Sequence, residues 1–171
     1  SSAPNGVLVG SLPDSIHFSP DGRFVLTANE GEPKDYCKVG GILPETSDPK
    51  GSVSVIDVRA NKLQAKTLDF SAFNDRANGI ISVGGRIYGP GATVAQDIEP
   101  EYIAISDDSK YAWVTLQENN AIATVDLASA KVLGISGLGF KNYNTEATGI
   151  DPSDRDKESR VRPVQAFGMY Q

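Results

Sequence analysis

The chain of 171 residues holds one cysteine and one histidine. With Cys37 alone, no disulfide can form within the segment and a structural zinc site of several thiolates is excluded, so its plain reading is a partly buried or loop thiol. With His17 alone, any serine–histidine–aspartate or cysteine–histidine device built within the segment has to use it, and nothing at its spacing suggests one. On an alternating strand this histidine is expected to face a groove or a sheet surface. No apolar run approaches the roughly 18 residues of a membrane span, and no signal-peptide core opens the chain. No Asn-x-Ser/Thr sequon is present to carry an N-glycan. Positive charge is also short: 16 basic against 22 acidic residues give a net charge of −6, which disfavours a phosphate-backbone partner such as nucleic acid. Helical periodicity is scarcely visible.

Strict apolar alternation over short runs, bounded by Gly, Pro, Asp and Ser, is what the chain does have, and it argues for strands half buried in antiparallel sheets. The chain also repeats itself. Pro13-Asp14-Ser15-Ile16-His17-Phe18-Ser19-Pro20-Asp21-Gly22-Arg23-Phe24 returns as Pro100-Glu101-Tyr102-Ile103-Ala104-Ile105-Ser106-Asp107-Asp108-Ser109-Lys110-Tyr111, 87 positions later. A third matching strand, Val53-Ser54-Val55-Ile56-Asp57 against Ile122-Ala123-Thr124-Val125-Asp126, is offset by only 69. The first copy therefore carries 18 extra residues in one loop, around 33–50, and insertions of that kind usually lie on one rim.

Each copy reads as strand, tight Asp-Gly or Asp-Ser turn, strand, longer loop, strand, and an outer strand at 63–70 or 131–138. Four antiparallel strands repeated in tandem are the pattern of a β-propeller blade. A β-sandwich uses similar strands but has no reason to repeat, so the repeat decides for an all-β fold of about two blades. Typical propellers close rings of roughly four to eight blades, so the segment is expected to be a fragment of a larger ring. The expected division is a blade over 1–80 with its inserted loop 33–50, a second blade over 81–140, and an inter-blade loop with the start of a further blade over 141–171. The remaining blades, from the same or another chain, are the first expected partners.

Three acidic clusters fall in inter-strand loops. The first, Asn29-Glu30-Gly31-Glu32-Pro33-Lys34-Asp35, follows a predicted inner strand, and carboxylates on a Gly-containing turn are hard oxygen ligands suited to Ca²⁺ or Mg²⁺. In the second, Glu99 and Glu101 flank a rigid Pro100 at the entrance to the next blade, from which they can point into a central channel. In the third, Asp154, Asp156 and Glu158 alternate as in calcium loops, although Ser159 stands where an EF-hand has Gly and helical flanks are missing. The metal-ligand candidates are thus Glu30, Glu32, Asp35, Glu99, Glu101, Asp154 and Asp156. A solvated loop is the plain alternative for the first, and pairing with Arg155 and Lys157 for the third. The stretch Gly84-Gly85-Arg86-Ile87-Tyr88-Gly89-Pro90-Gly91 lacks the Gly-Lys-(Ser/Thr) ending of a phosphate loop, so it reads as backbone passing close to a neighbour. Arg86 and Arg155 are the candidate anion contacts. Tyr111 and Trp113 are read as blade packing.

The strings Ala28-Asn29-Glu30-Gly31-Glu32-Pro33, Gln96-Asp97-Ile98-Glu99-Pro100-Glu101-Tyr102, Thr115-Leu116-Gln117-Glu118-Asn119-Asn120 and Asp154-Arg155-Asp156 together resemble the choice-of-anchor I proteins. That group includes mesenchyme-specific cell-surface glycoproteins of biomineralising animals and bacterial proteins labelled alkaline-phosphatase-like. The resemblance covers nearly the whole chain. It implies a secreted or surface-attached propeller with further blades, associated with calcium-rich extracellular matrix or with phosphate metabolism. The loop bearing Cys37 and the Lys157-Glu158-Ser159-Arg160 stretch depart from the relatives.

Three functions follow as expectations. The favoured one is a non-catalytic extracellular or cell-surface propeller that binds divalent cations, calcium foremost, in adhesion, matrix assembly or mineral handling. The second is a metal-dependent phosphoesterase, in which Glu30, Glu32, Glu99, Glu101 and Asp154 hold metal ions that activate water. The third is an accessory or lattice subunit docking through exposed blade edges.

Overall fold

The structure is a computed structural model that describes residues 6–35 and 44–170. Cys37 lies outside the described residues. The first sheet is a meander of β1 (Pro13–Phe18), β2 (Phe24–Asn29), β3 (Ser52–Asp57) and β4 (Ala65–Asp69), ordered β1-β2-β3-β4 and antiparallel throughout. A 3-10 turn (Ser71–Arg76) and two short helices, α1 (Ala77–Ser82) and α2 (Val94–Asp97), occupy the connection. The second sheet repeats the meander with β5 (Pro100–Ile105), β6 (Tyr111–Leu116), β7 (Ala121–Asp126) and β8 (Lys131–Gly137). A two-residue ribbon of β9 (Lys141–Asn142) and β10 (Phe167–Gly168) follows. These are two four-stranded propeller blades. The strands begin where the repeat places them, and the outer strands fall within the expected 63–70 and 131–138.

The two copies share their turns as well as their strands. In the first, Gly22 N donates to Ser19 O (2.8 Å) and Asp21 Oδ1 accepts from Ser19 Oγ and Arg23 N. In the second, Ser109 N donates to Ser106 O (2.8 Å) and Asp108 Oδ1 accepts from Ser106 Oγ and Lys110 N. Gly22 has φ +67° and Ser109, its equivalent, φ +57°, so the turn holds a left-handed conformation whether or not the residue is glycine.

The register shows how the blades meet. His17, Leu26 and Val55 lie opposite one another on one face of the first blade, as do Ser15, Ala28, Val53 and Leu68. This face packs on Ile103, Ala112, Val114, Ala123 and Val125 of the second blade, and one continuous hydrophobic cluster joins them. The repeat equivalents of Ala112 and Val114 are Val25 and Thr27, which lie on the other face of the first blade. The contact is therefore head to tail: a leading face of one blade meets the trailing face of the next, the arrangement that generates a ring when it is repeated. The second blade's leading face leaves Trp113 43% exposed, and the first blade's trailing face leaves Ile16 and Phe18 66% and 68% exposed. These are the surfaces onto which the same contact would continue.

The helical connection departs from the reading of the chain as strands and loops. Phe73 and Ile80 bury into the inter-blade core, and Thr93 caps α2 in a capping box with Gln96. Ala95 N donates to Asn74 Oδ1, and Gly51 N donates to Ala95 O, so α2 is held against the start of β3. His17 lies edge-on to Tyr102 of the second blade, at 4.6 Å between ring centres.

Candidate functional site

β1 and β5, the first strands of their blades, lie against each other on the side that lines the central channel in propellers. Each opens with a register irregularity, between Pro13 and Ser15 in β1 and between Pro100 and Ile103 in β5. Such bulges re-aim side chains, and the residues they re-aim are Asp14 and Glu101, equivalent positions of the repeat. Glu30 and Glu32 follow the end of β2, and Glu118 follows the end of β6. Five carboxylates therefore gather where the blades open.

The crowding of charge raises two of them, Glu101 and Glu30. Burial, then the Glu118 carboxyl, which shares a hydrogen bond with it, and then the charges of Glu30 and Asp14 push Glu101 up to about 8. Glu30 is raised as well, by burial and by Glu32, Asp14 and Glu118. Glu118 Oε2 is buried without a hydrogen-bond partner. A proton on Glu101 relieves that pair, and so would a bound cation. No three carboxylate, imidazole or thiolate groups among the described residues converge closely enough to chelate an ion by themselves. Cation binding at this mouth would rest on two or so carboxylates completed by water and backbone oxygens, a hard-ligand set suited to Ca²⁺ with modest affinity.

A second acidic group lies behind the mouth, in a cavity of about 220 Å³ whose lining includes Asp35, Asp48, Asp97 and Glu99. Asp97 is buried and raised by that burial, although Tyr88 N, Gly89 N and Asn119 Nδ2 donate to its carboxylate and Arg86 opposes the rise. Glu118 acts on Tyr88 of this cavity as it does on Glu101, so the two groups are electrostatically joined. Asn119 ties the region together. Its Oδ1 accepts from Glu99 N (3.1 Å), and its Nδ2 reaches Asp97 O (2.8 Å) and Arg86 O (3.0 Å). Asn119→Ala strands those buried groups and is expected to destabilise the protein by about 2 kcal/mol, read as a shift in the denaturant midpoint at unchanged slope.

The sequence candidates thus divide. Glu30, Glu32 and Glu101 join the mouth; Asp35 and Glu99 line the cavity. Asp154 and Asp156 sit in the exposed segment between β9 and β10, where Asp156 forms an ion pair with Arg162 at 2.8 Å that lowers its pKa. Arg86 lies 3.5 Å over the Tyr88 ring beside Asp97, and Arg155 is exposed. The glycine-rich stretch offers its amides at Tyr88 and Gly89 to the chain's own Asp97. Asp14, Asp48 and Glu118 were not among the candidates, because strand packing and not sequence spacing brings them in, while Asp97 heads the second acidic cluster of the sequence. The one signal for Asp14 was its repeat equivalence to Glu101.

The family model of the choice-of-anchor I domain matches residues 2–171. Among solved structures, Kuenenia stuttgartiensis hydrazine synthase is similar at 16% identity and a TM-score of 0.43, covering 81% of this chain and 27% of its own. No curated protein sequence matches. Among the described residues no helix is long and apolar enough to cross a membrane.

Proposed function

The chain belongs to the choice-of-anchor I family, and from that premise we propose that it is part of an extracellular or cell-surface β-propeller that binds divalent cations, calcium first, in a non-catalytic role in adhesion, matrix or mineral handling. The observation that carries this reading is the mouth itself: Glu118 stands against the part-buried Glu101 carboxyl and, with that burial, raises it, while Glu30 and Asp14 add to the field. Charge of this density at the opening between two blades is a standing attraction for a cation. The ring that such blades would complete repeats Asp14 and Glu101 around its axis, and each further blade with an acidic residue there would add oxygens. Extracellular modules of few ligands hold Ca²⁺ at about 10⁻⁴ to 10⁻³ M, the range expected here.

Calorimetric titration of the chelator-treated full-length protein with CaCl₂, beside an assay of p-nitrophenyl phosphate hydrolysis, tests the reading. Saturable binding in that range without turnover supports it. Metal-dependent turnover would move the assignment to a phosphoesterase, and neither binding nor turnover would favour an accessory subunit docking through Trp113 and its exposed face.

A further inference from the structure

Asp48 is 4% exposed and lines the cavity behind the mouth, yet no described residue donates a hydrogen bond to its carboxylate. Its backbone is satisfied, since Asp48 N donates to Pro44 O and Asp48 O accepts from Gln96 Nε2. Its neighbour Asp97 already has three N–H donors and Arg86 at hand, so Asp48 is the one carboxylate of the pair left uncompensated. A carboxyl buried in this way keeps its charge only with a counter-charge beside it. The lining selects its kind. Pro33, Pro90 and Ala92 supply apolar walls to a space of about 220 Å³, enough for a short hydrocarbon body.

We propose that this cavity is a binding site for a small primary ammonium ion, its charged head on the Asp48 carboxylate and its hydrocarbon body against Pro33, Pro90 and Ala92. Burial and the charge of Asp97 both hold the Asp48 carboxyl above its ordinary range, and an ammonium head relieves both. The site stands apart from the calcium reading of the mouth and does not depend on it.

The test is calorimetric titration of the full-length protein with n-butylammonium at neutral pH, on wild type, Asp48→Asn and Ala92→Phe, with CaCl₂ as competitor. Wild type is expected to bind saturably, Asp48→Asn at least about tenfold more weakly for the loss of a charge-assisted contact, and Ala92→Phe not at all because the space is filled. Circular dichroism shows whether each variant is folded, and if Asp48→Asn is not, Ala92→Phe decides, since it keeps the charge and removes only the room. Absence of butylammonium binding in wild type overturns the proposal, as does affinity unchanged by either variant. Displacement of butylammonium by Ca²⁺ that is itself lost in Asp48→Asn also overturns it, in favour of a metal site. Calcium binding lost only in Glu101→Gln bears on the mouth and leaves this site standing.

Discussion

Gly51→Val is expected to leave the protein unable to fold as this pair of blades, with a loss above about 4 kcal/mol in a range that single substitutions rarely reach. Gly51 stands at the start of β3, and the approach to β5 runs directly over it. A Cβ built on Gly51 would lie 1.8 Å from Ile98 O and 2.7 Å from Pro100 Cδ. The obstructing atom is backbone and belongs to the segment that carries Asp97, Glu99 and Glu101, so it cannot swing aside as a side chain would. Relief requires moving one blade's first strand off the other blade's third, and with it the bond from Gly51 N to Ala95 O. Urea titration of the full-length protein followed by circular dichroism reads the result. A Gly51→Val protein with a wild-type midpoint would mean that the two blades do not meet here.

The second large effect concerns the mouth. Glu101→Gln combined with Glu118→Gln is expected to weaken Ca²⁺ binding at least about tenfold, because it removes Glu101 and the carboxylate that acts on it most strongly, and keeps their size. The same double change stabilises the calcium-free protein at pH 8, where wild type holds several like charges in partial burial. Opposite signs for affinity and stability in one variant identify a site where binding is purchased with repulsion. A variant merely damaged in folding would lose both. Calorimetry for the first and thermal melts in chelator for the second separate these outcomes.

The blades were legible in the sequence because the signals that define them are local. Alternation sets which face is buried, and the Ser-x-Asp-(Gly/Ser)-(Arg/Lys) pattern sets a turn whose hydrogen bonds are the same in both copies. The constant 87-residue offset spans two strands and their turn, and so fixed their order and pairing. The connection between blades was not legible. The helix α2 is four residues long, and its capping box, Thr93 with Gln96, was the only available sign of it. The segment 71–82 buries just Phe73 and Ile80, too few positions to show a helical period.

The candidate site divided along the same line. Glu30 and Glu32 stand on one loop, and Glu101 stands at a blade entrance, so each could be singled out from its own neighbourhood. What joins them to Asp14 and Glu118 is the packing of β1 on β5, which no spacing announces. Asp48 and Asp97 are 49 residues apart in sequence and meet only because Gln96 binds the backbone of Asp48. The Asp154 and Asp156 pair had the better local pattern, but Arg162, which shares its exposed segment, engages Asp156. Local alternation of acids identified a salt-bridged loop there, while the stronger electrostatic cluster arose from residues distant in sequence.

The most direct test of the account is the melting temperature of the full-length protein from pH 5 to pH 8.5, with chelator and with millimolar CaCl₂. Glu101 holds its proton more tightly folded than unfolded, so in chelator the stability it contributes is whole below about 4.5 and is lost as pH rises through about 8. The raised Glu30 and Asp48 carboxyls act in the same direction. Calcium competes with that proton, and at ten times its dissociation constant it restores about 1.4 kcal/mol. The predicted result is a melting temperature that falls with pH in chelator and is recovered by calcium, little at pH 5 and most at pH 8. A calcium effect equal at both ends of the range, or none at pH 8, would contradict the assignment of the inter-blade mouth as a cation site.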